Sequence, residues 1–317
     1  MMPLSFTKCL LIFCLSALLC ACGGPPRVED PFFLASSKDS LARGNDWYQK
    51  GCYAQALSFF QESLIAARLS DNVPLIVLSY NAQGAALMSM GNLNAAADRL
   101  QAALELSLGT EGNPGLAEVL GNLGTVAYKI NRPEEAKEYW SRASNFALNQ
   151  GASPASYLAS LARAYFLEGK KEEFTAALAE ATGFLEHPDT LPLARSDILN
   201  LLASQALEER NFTAALDYLN QALEIDRANE YQEGLAQDLE LMAQLHLLGG
   251  DAEAAAQNFS RAFYLRAALH DRARTRDIYN KLTELKKNHS ISLDLSPLKL
   301  ILDKPENFDP FPALCPD

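Results

Sequence analysis

The 317-residue chain is poor in the side chains that do chemistry. Histidine occurs only as His187, His246, His270 and His289, each in a separate stretch with no acid or cysteine at ligand spacing. There is no HExxH, no GxSxG, no CxxC and no Gly-rich phosphate loop, so the common metal, acyl-transfer and phosphate-cradling arrangements have no footing. Acid pairs such as Glu134-Glu135 and Glu172-Glu173 fall at expected helix starts, where they complement the helix dipole. No catalytic residue, cofactor, metal or small-molecule substrate is indicated, and the chain is read as a non-enzyme. Cations are also short: 27 Lys and Arg face 39 Asp and Glu, for a net charge of −12. Nucleic acid would lack counter-charges and an anionic lipid surface would repel the body. With 17 Gly and 15 Pro, turns are too few for an all-β chain, while 49% hydrophobic residues suffice for a sizeable core. An α-rich soluble body is expected.

What is present is periodicity. Val119–Ala147 (VLGNLGTVAYKINRPEEAKEYWSRASNFA) reads as two amphipathic helices joined by a tight turn at Ile130–Pro133. Leu120, Leu123 and Ala127 share one face around Gly124, and Ala136, Trp140 and Ala143 recur at the spacing of a buried stripe. Gly124 and Ala136 let the two axes approach to roughly 8–10 Å. The small first-helix residue returns at Gly44, Gly84, Gly124, Ala162, Ala203 and Ala243, in steps of 40, 40, 38, 41 and 40. The second helix keeps the phase through Ala56, Ala96, Ala136, Ala215 and Ala255 and departs from it at Phe174, which should push the fourth hairpin apart or shift its register. Pro74, Pro114, Pro154 and Pro192 each follow the small residue by thirty positions and should open helices, with Asn113 and Ser153 as N-caps.

The alternation Gly44, Trp47, Gly51, Tyr53, Ala56, Phe60 resembles the tetratricopeptide repeat (TPR) family, and the longer proline-opened unit resembles the extended repeats of the kinesin light chain kind. The resemblance implies an all-α, right-handed TPR superhelix (α-solenoid) of six helical hairpins over 37–268. A C-terminal capping helix at 269–288, with Ile278, Leu282 and Leu285 on its inner side, and an irregular tail at 289–317 follow. The capping helix carries Arg272, Arg274, Arg276, Lys281, Lys286 and Lys287, the one basic patch.

Residues 1–21 are of another kind. Lys8 precedes the apolar run Cys9–Cys20, too short at twelve residues to span a bilayer. It fits a secretory signal. Leu19-Cys20-Ala21-Cys22 resembles the bacterial lipobox, which makes Cys22 the expected lipidation site; Cys20 departs from the usual small residue. The absence of Asp after Cys22 resembles outer-membrane sorting, so a Gram-negative chain would sit lipid-anchored on the periplasmic face of the outer membrane, touching membrane only through that anchor. Residues 22–36 read as a flexible linker whose Phe32, Phe33 and Leu34 could dock on the first repeat. Only Cys52 and Cys315 then remain in an oxidising compartment. A bridge between them would require the tail to run back along most of the solenoid, and two unbridged thiols are the plainer expectation.

First helices line the concave side of such superhelices. Four residues beyond each small position lie Tyr48, Met88, Tyr128, Phe166, Leu207 and Leu247, an expected apolar stripe; Asn45, Asn81, Asn122, Arg163 and Asn200 flank it and could hold the backbone of a bound peptide. Leu41 stands where the clamp for a C-terminal carboxylate has lysine, which disfavours a chaperone-tail receptor. The combination resembles bacterial outer-membrane TPR lipoproteins and implies a protein–protein interaction scaffold or assembly factor for envelope proteins. The alternative is a regulator of a cell-wall synthase or hydrolase, or an unrecognised hydrolase.

Overall fold

A computed structural model describes residues 30–289, 291–304 and 315. Among them are fourteen α-helices and no strand. Twelve pair as six antiparallel hairpins: α1 (Phe32–Gln49) with α2 (Tyr53–Leu69), α3 (Val73–Ser89) with α4 (Leu93–Leu108), and α5 (Leu116–Lys129) with α6 (Pro133–Asn149). Then come α7 (Ala155–Leu167) with α8 (Lys171–Thr182), α9 (Pro192–Glu208) with α10 (Phe212–Ala228), and α11 (Gln232–Leu248) with α12 (Ala252–Ala268). The hairpins stack into a right-handed TPR superhelix; α13 (Arg272–His289) covers the last one and α14 (Ser296–Leu302) packs on α13.

The small-and-large alternation has a direct steric cause. A Cβ on Gly44 would lie 2.4 Å from the Phe60 ring, on Gly84 2.6 Å from Leu100 and on Gly124 2.6 Å from Trp140. The large second-helix side chain therefore occupies the space that the first helix leaves empty. Trp140 also donates its Nε1 hydrogen to the Gly121 carbonyl at 3.0 Å, which satisfies its one polar atom inside the core. Each hairpin turn holds one residue with left-handed backbone: glycine at Gly51, Gly91, Gly169 and Gly250, and Asn131 and Arg210 in the other two.

In the fourth hairpin Phe174 is buried and stacks on Phe166 with ring centres 5.1 Å apart. The accommodation is by length: α8 has 12 residues, whereas the other second helices of hairpins have 16 or 17, and α7 packs directly on α9 beyond it.

Several expectations need correction. Residues 32–36 are helical, because Pro31 stands at the N-cap of α1 rather than ending a linker, and Phe32 is 79% exposed instead of docked. The tail is not wholly irregular, since Pro297 opens α14 and Leu298 is buried against the last repeats. Pro74 and Pro192 do sit in first turns, but Pro114 precedes the cap residue Gly115 and Pro154 is itself the cap residue. Ser153 accepts from the Ala155 amide at 3.3 Å, whereas Asn113 takes a positive φ and turns its amide to the Ser107 carbonyl. Cys52 and Cys315 are joined as a disulfide. The superhelix curves until its first turn meets its last, so the tail has no long path to cover: Gly51 lies against Leu269. Residues 1–29, including the expected signal segment and the expected lipidation site Cys22, lie outside the described residues.

Candidate functional site

Two recesses among the described residues are lined in part by the first helices. The larger, about 650 Å³, is floored by α5, α6 and α7 and edged by the loops at 112–115 and 189–191. Its lining is mostly uncharged but polar: Asn81, Asn122, Thr125, Gln150, Ser156 and Ser160 stand beside Tyr157 and Phe146. Glu118 and Asp189 are the only charged lining residues, so the local field is negative. Burial raises the Tyr157 phenol above its ordinary range and Glu118 adds to the effect, which keeps that hydroxyl a donor. The smaller recess, about 220 Å³, lies between α1 and α3 and is lined by Leu41, Asn45, Tyr48, Leu78, Asn81, Ala82 and Ala85.

The residues expected to flank the groove pair with one another across neighbouring repeats. The Asn122 amide donates to the Asn81 carbonyl oxygen at 2.9 Å, joining α5 to α3. Arg163 reaches Asp197 at 2.7 Å, joining α7 to α9. Tyr48 and Ser89 share a hydroxyl hydrogen bond of 2.9 Å between α1 and α3. Each primary amide has two donor hydrogens and two acceptor lone pairs, so the Asn81–Asn122 bond uses only part of their capacity.

The expected stripe is not one continuous exposed surface. Met88, Leu207 and Asn200 are buried and present nothing to a partner. Tyr128 lies over Trp140 with ring centres 5.8 Å apart, and Phe166 over Phe174. Leu247 is 37% exposed, and Tyr48 is half-buried in the smaller recess. The reason is register: four residues beyond the small position, a side chain points toward the hairpin turn and its own second helix. Of the eleven expected groove residues, Asn81 and Asn122 reach the large recess and Asn45, Tyr48 and Asn81 the small one. The groove composition is carried instead by Thr125, Ser156, Tyr157 and Ser160, to which their positions one residue after and two to six residues before the small residue would have pointed.

Sequence reasoning also missed the buried charges. Arg266 is 2% exposed; its Nε meets Glu240 at 2.7 Å, and its Nη1 meets Glu233. Burial alone would lower the guanidinium's pKa, but Glu233 and Glu240 outweigh it and hold it raised. Forty residues earlier, at the same phase, Asp226 is fully buried and accepts from Ser196 Oγ at 2.8 Å. Ala67, Ser107 and Ala147 fill that phase in earlier repeats, and a charge appearing there was the available signal. Half of the basic patch is likewise consumed by the fold: Arg272 donates to the Leu302 carbonyl, Lys286 to that of Leu293, and Arg274 pairs with Glu240.

Family models described as tetratricopeptide repeat match residues 75–149 and 196–229. No curated protein matches the sequence. Among solved structures, the Rap conjugation gene regulator of plasmid pLS20, in complex with the Phr* peptide, superposes with a TM-score of 0.64. It shares 16% identity, over 95% of this chain and 83% of that one. A Rap protein complexed with competence and sporulation factor superposes at 0.60 with 15% identity, over 81% of this chain and 67% of that one. At such identities the likeness is one of fold.

Proposed function

We propose that this chain is a non-enzymatic docking scaffold of the bacterial cell envelope. On this reading it holds an extended or helical segment of a partner protein in the concave recess walled by α5, α6 and α7, and is tethered to the outer membrane by lipid on Cys22. The observation that carries the reading is the recess itself: amide and hydroxyl side chains from successive first helices beside an aromatic wall suit the alternating donors and acceptors of a peptide backbone. The Rap regulator above is described with a peptide bound, which is in keeping with this use of the fold. The lipobox Leu19–Cys22 supports the tether.

A photo-crosslinking residue placed at Thr125 or Ser160 in cells should capture one discrete protein. The same residue at Glu138, exposed on α6, should not. Capture from Glu138 but from neither recess position would overturn the concave-site reading. The tether is tested separately: Cys22→Ser should abolish fractionation with outer membranes, and unchanged fractionation would remove the envelope part of the proposal while leaving the docking part standing.

A further inference from the structure

Seven buried side-chain polar atoms among the described residues have no hydrogen-bond partner, and four of them gather between the fifth and sixth hairpins. They are Asn200 Oδ1 on α9, Asp226 Oδ1 near the end of α10, and both carboxylate oxygens of Asp238 on α11. All four are acceptors, and none of the three residues is more than 1% exposed. The helices bring them together. Ser196 and Asn200 stand one turn apart on α9, and Ser196 Oγ donates to the other Asp226 oxygen at 2.8 Å. Gly234 and Asp238 stand one turn apart on α11, and a Cβ on Gly234 would collide with that same Asp226 oxygen, so only glycine leaves the carboxylate its room. Asp226 and Asn200 both act on Asp238. Arg227 acts on it too, but is exposed and reaches neither of its oxygens. Forty residues on, the positions of Asn200 and Asp226 hold Glu240 and Arg266, which meet at 2.7 Å. There the chain supplies a cation to its buried acid. Between the fifth and sixth hairpins it supplies none, and carboxylates buried in a core are otherwise paired or ligate a metal.

We infer that Asp226, Asp238, Asn200 and Ser196 form a calcium site that ties the fifth hairpin to the sixth. The inference does not depend on what the concave surface binds. The donors are oxygens without exception, which suits a hard cation rather than zinc or copper. No three of His, Cys, Asp and Glu converge to hold a metal among the described residues, so the site is built from two carboxylates completed by an amide and a hydroxyl. Two buried carboxylates call for a double charge, which sodium and potassium lack. Magnesium retains several waters in near-ideal octahedral geometry, for which side chains this deeply buried leave no place; calcium takes about six to eight oxygens in flexible geometry. Both carboxylates bidentate, with Asn200 Oδ1 and Ser196 Oγ, supply six. Binding displaces any protons that the carboxyls hold.

The test uses the purified full chain, stripped with chelator and returned to calcium, magnesium or potassium chloride at matched ionic strength. Calcium at about 100 times its dissociation constant should raise the melting temperature by about 5 °C, and the other two salts should not. Terbium, a luminescent stand-in for calcium, should be sensitised by Tyr231, whose ring lies beside Gly234 and the Asp226 carboxylate, and calcium should displace it. Asp226→Asn and Asp238→Asn should each lower the terbium signal tenfold or more and abolish the calcium shift. Asparagine keeps the shape of the carboxyl, and circular dichroism in chelator checks that both variants fold. Ser196→Ala, the milder change, should weaken terbium binding several-fold. Asp217→Asn, on the exposed side of α10, should leave both readouts unchanged. A melting temperature that responds equally to the three salts would overturn the site, and so would a terbium signal that survives all three ligand changes.

Discussion

Replacing Asp238 with asparagine should make the protein more stable at neutral and alkaline pH. Asp238 on α11 is fully buried, and neither carboxylate oxygen has a hydrogen-bond partner. The groups around it are Asp226 on α10, Asp197 and Asn200 on α9, and Arg227. Burial pushes its carboxyl up to about 8, Asp226 adds to the rise, and Asn200 and Arg227 offset it only in part. Asp226 is itself pushed up to about 6, again chiefly by burial.

The sign follows from proton counting. An unfolded aspartate titrates near 3.9, so between roughly pH 4 and 8 the folded chain holds a proton at Asp238 that the unfolded chain has released. Stability from this group is greatest below the unfolded value and falls as pH rises, by up to about 1.4 kcal/mol per pH unit, levelling off above 8. Asp226 steepens the slope below pH 6. Between pH 5 and 8 the loss should be on the order of 2–4 kcal/mol. Asparagine keeps the shape without the titration, so Asp238→Asn should match the wild type near pH 5 and exceed it by that amount at pH 8. Denaturant melts followed by circular dichroism at both pH values decide the matter. A wild type whose midpoint does not fall across this range, or a variant with the same pH profile, would refute the reasoning.

Two further perturbations probe the packing. Gly124→Leu forces a side chain into the space of Trp140 and should cost at least about 1–3 kcal/mol, whereas Lys129→Leu, on the exposed edge of the same helix, should stay within about 0.5 kcal/mol; thermal melts compare the two. Arg266→Ala leaves the buried Glu240 with only the exposed Arg274 for a partner, and should lower stability by about 3–5 kcal/mol in the same assay.

The repeats were legible in the sequence because the feature that makes a hairpin, a small residue opposite a large one, is local and recurs in phase: Gly44 with Phe60, Gly84 with Leu100, Gly124 with Trp140. The capping helix was legible for the same reason, with Ile278, Leu282 and Leu285 buried as their spacing implies. The start of the array was misread because Asp30-Pro31 has the composition of a break, yet a proline just outside a helix is compatible with its first turn. Of the expected groove residues, only Asn45, Tyr48, Asn81 and Asn122 line a recess. Which side of a first helix faces inward depends on the angle at which hairpins stack, and a few tens of degrees per repeat move a side chain from groove to core. The same accumulated rotation brings Gly51 to Leu269, and no single repeat records it.

Joining the two extremities also changes the statistics of melting. A linear stack of repeats frays, because its terminal units lack a neighbour on one side and open at the cost of one interface. Here the first hairpin is bonded through Cys52 to Cys315, in the tail beyond the last repeat, so a unit that opens at either extremity stays within one closed loop of chain and cannot diffuse away. For a separation of 263 residues the lost freedom of the unfolded chain is worth on the order of 5 kcal/mol, shared by every repeat at once. The oxidised array should therefore melt at a higher temperature than the reduced one.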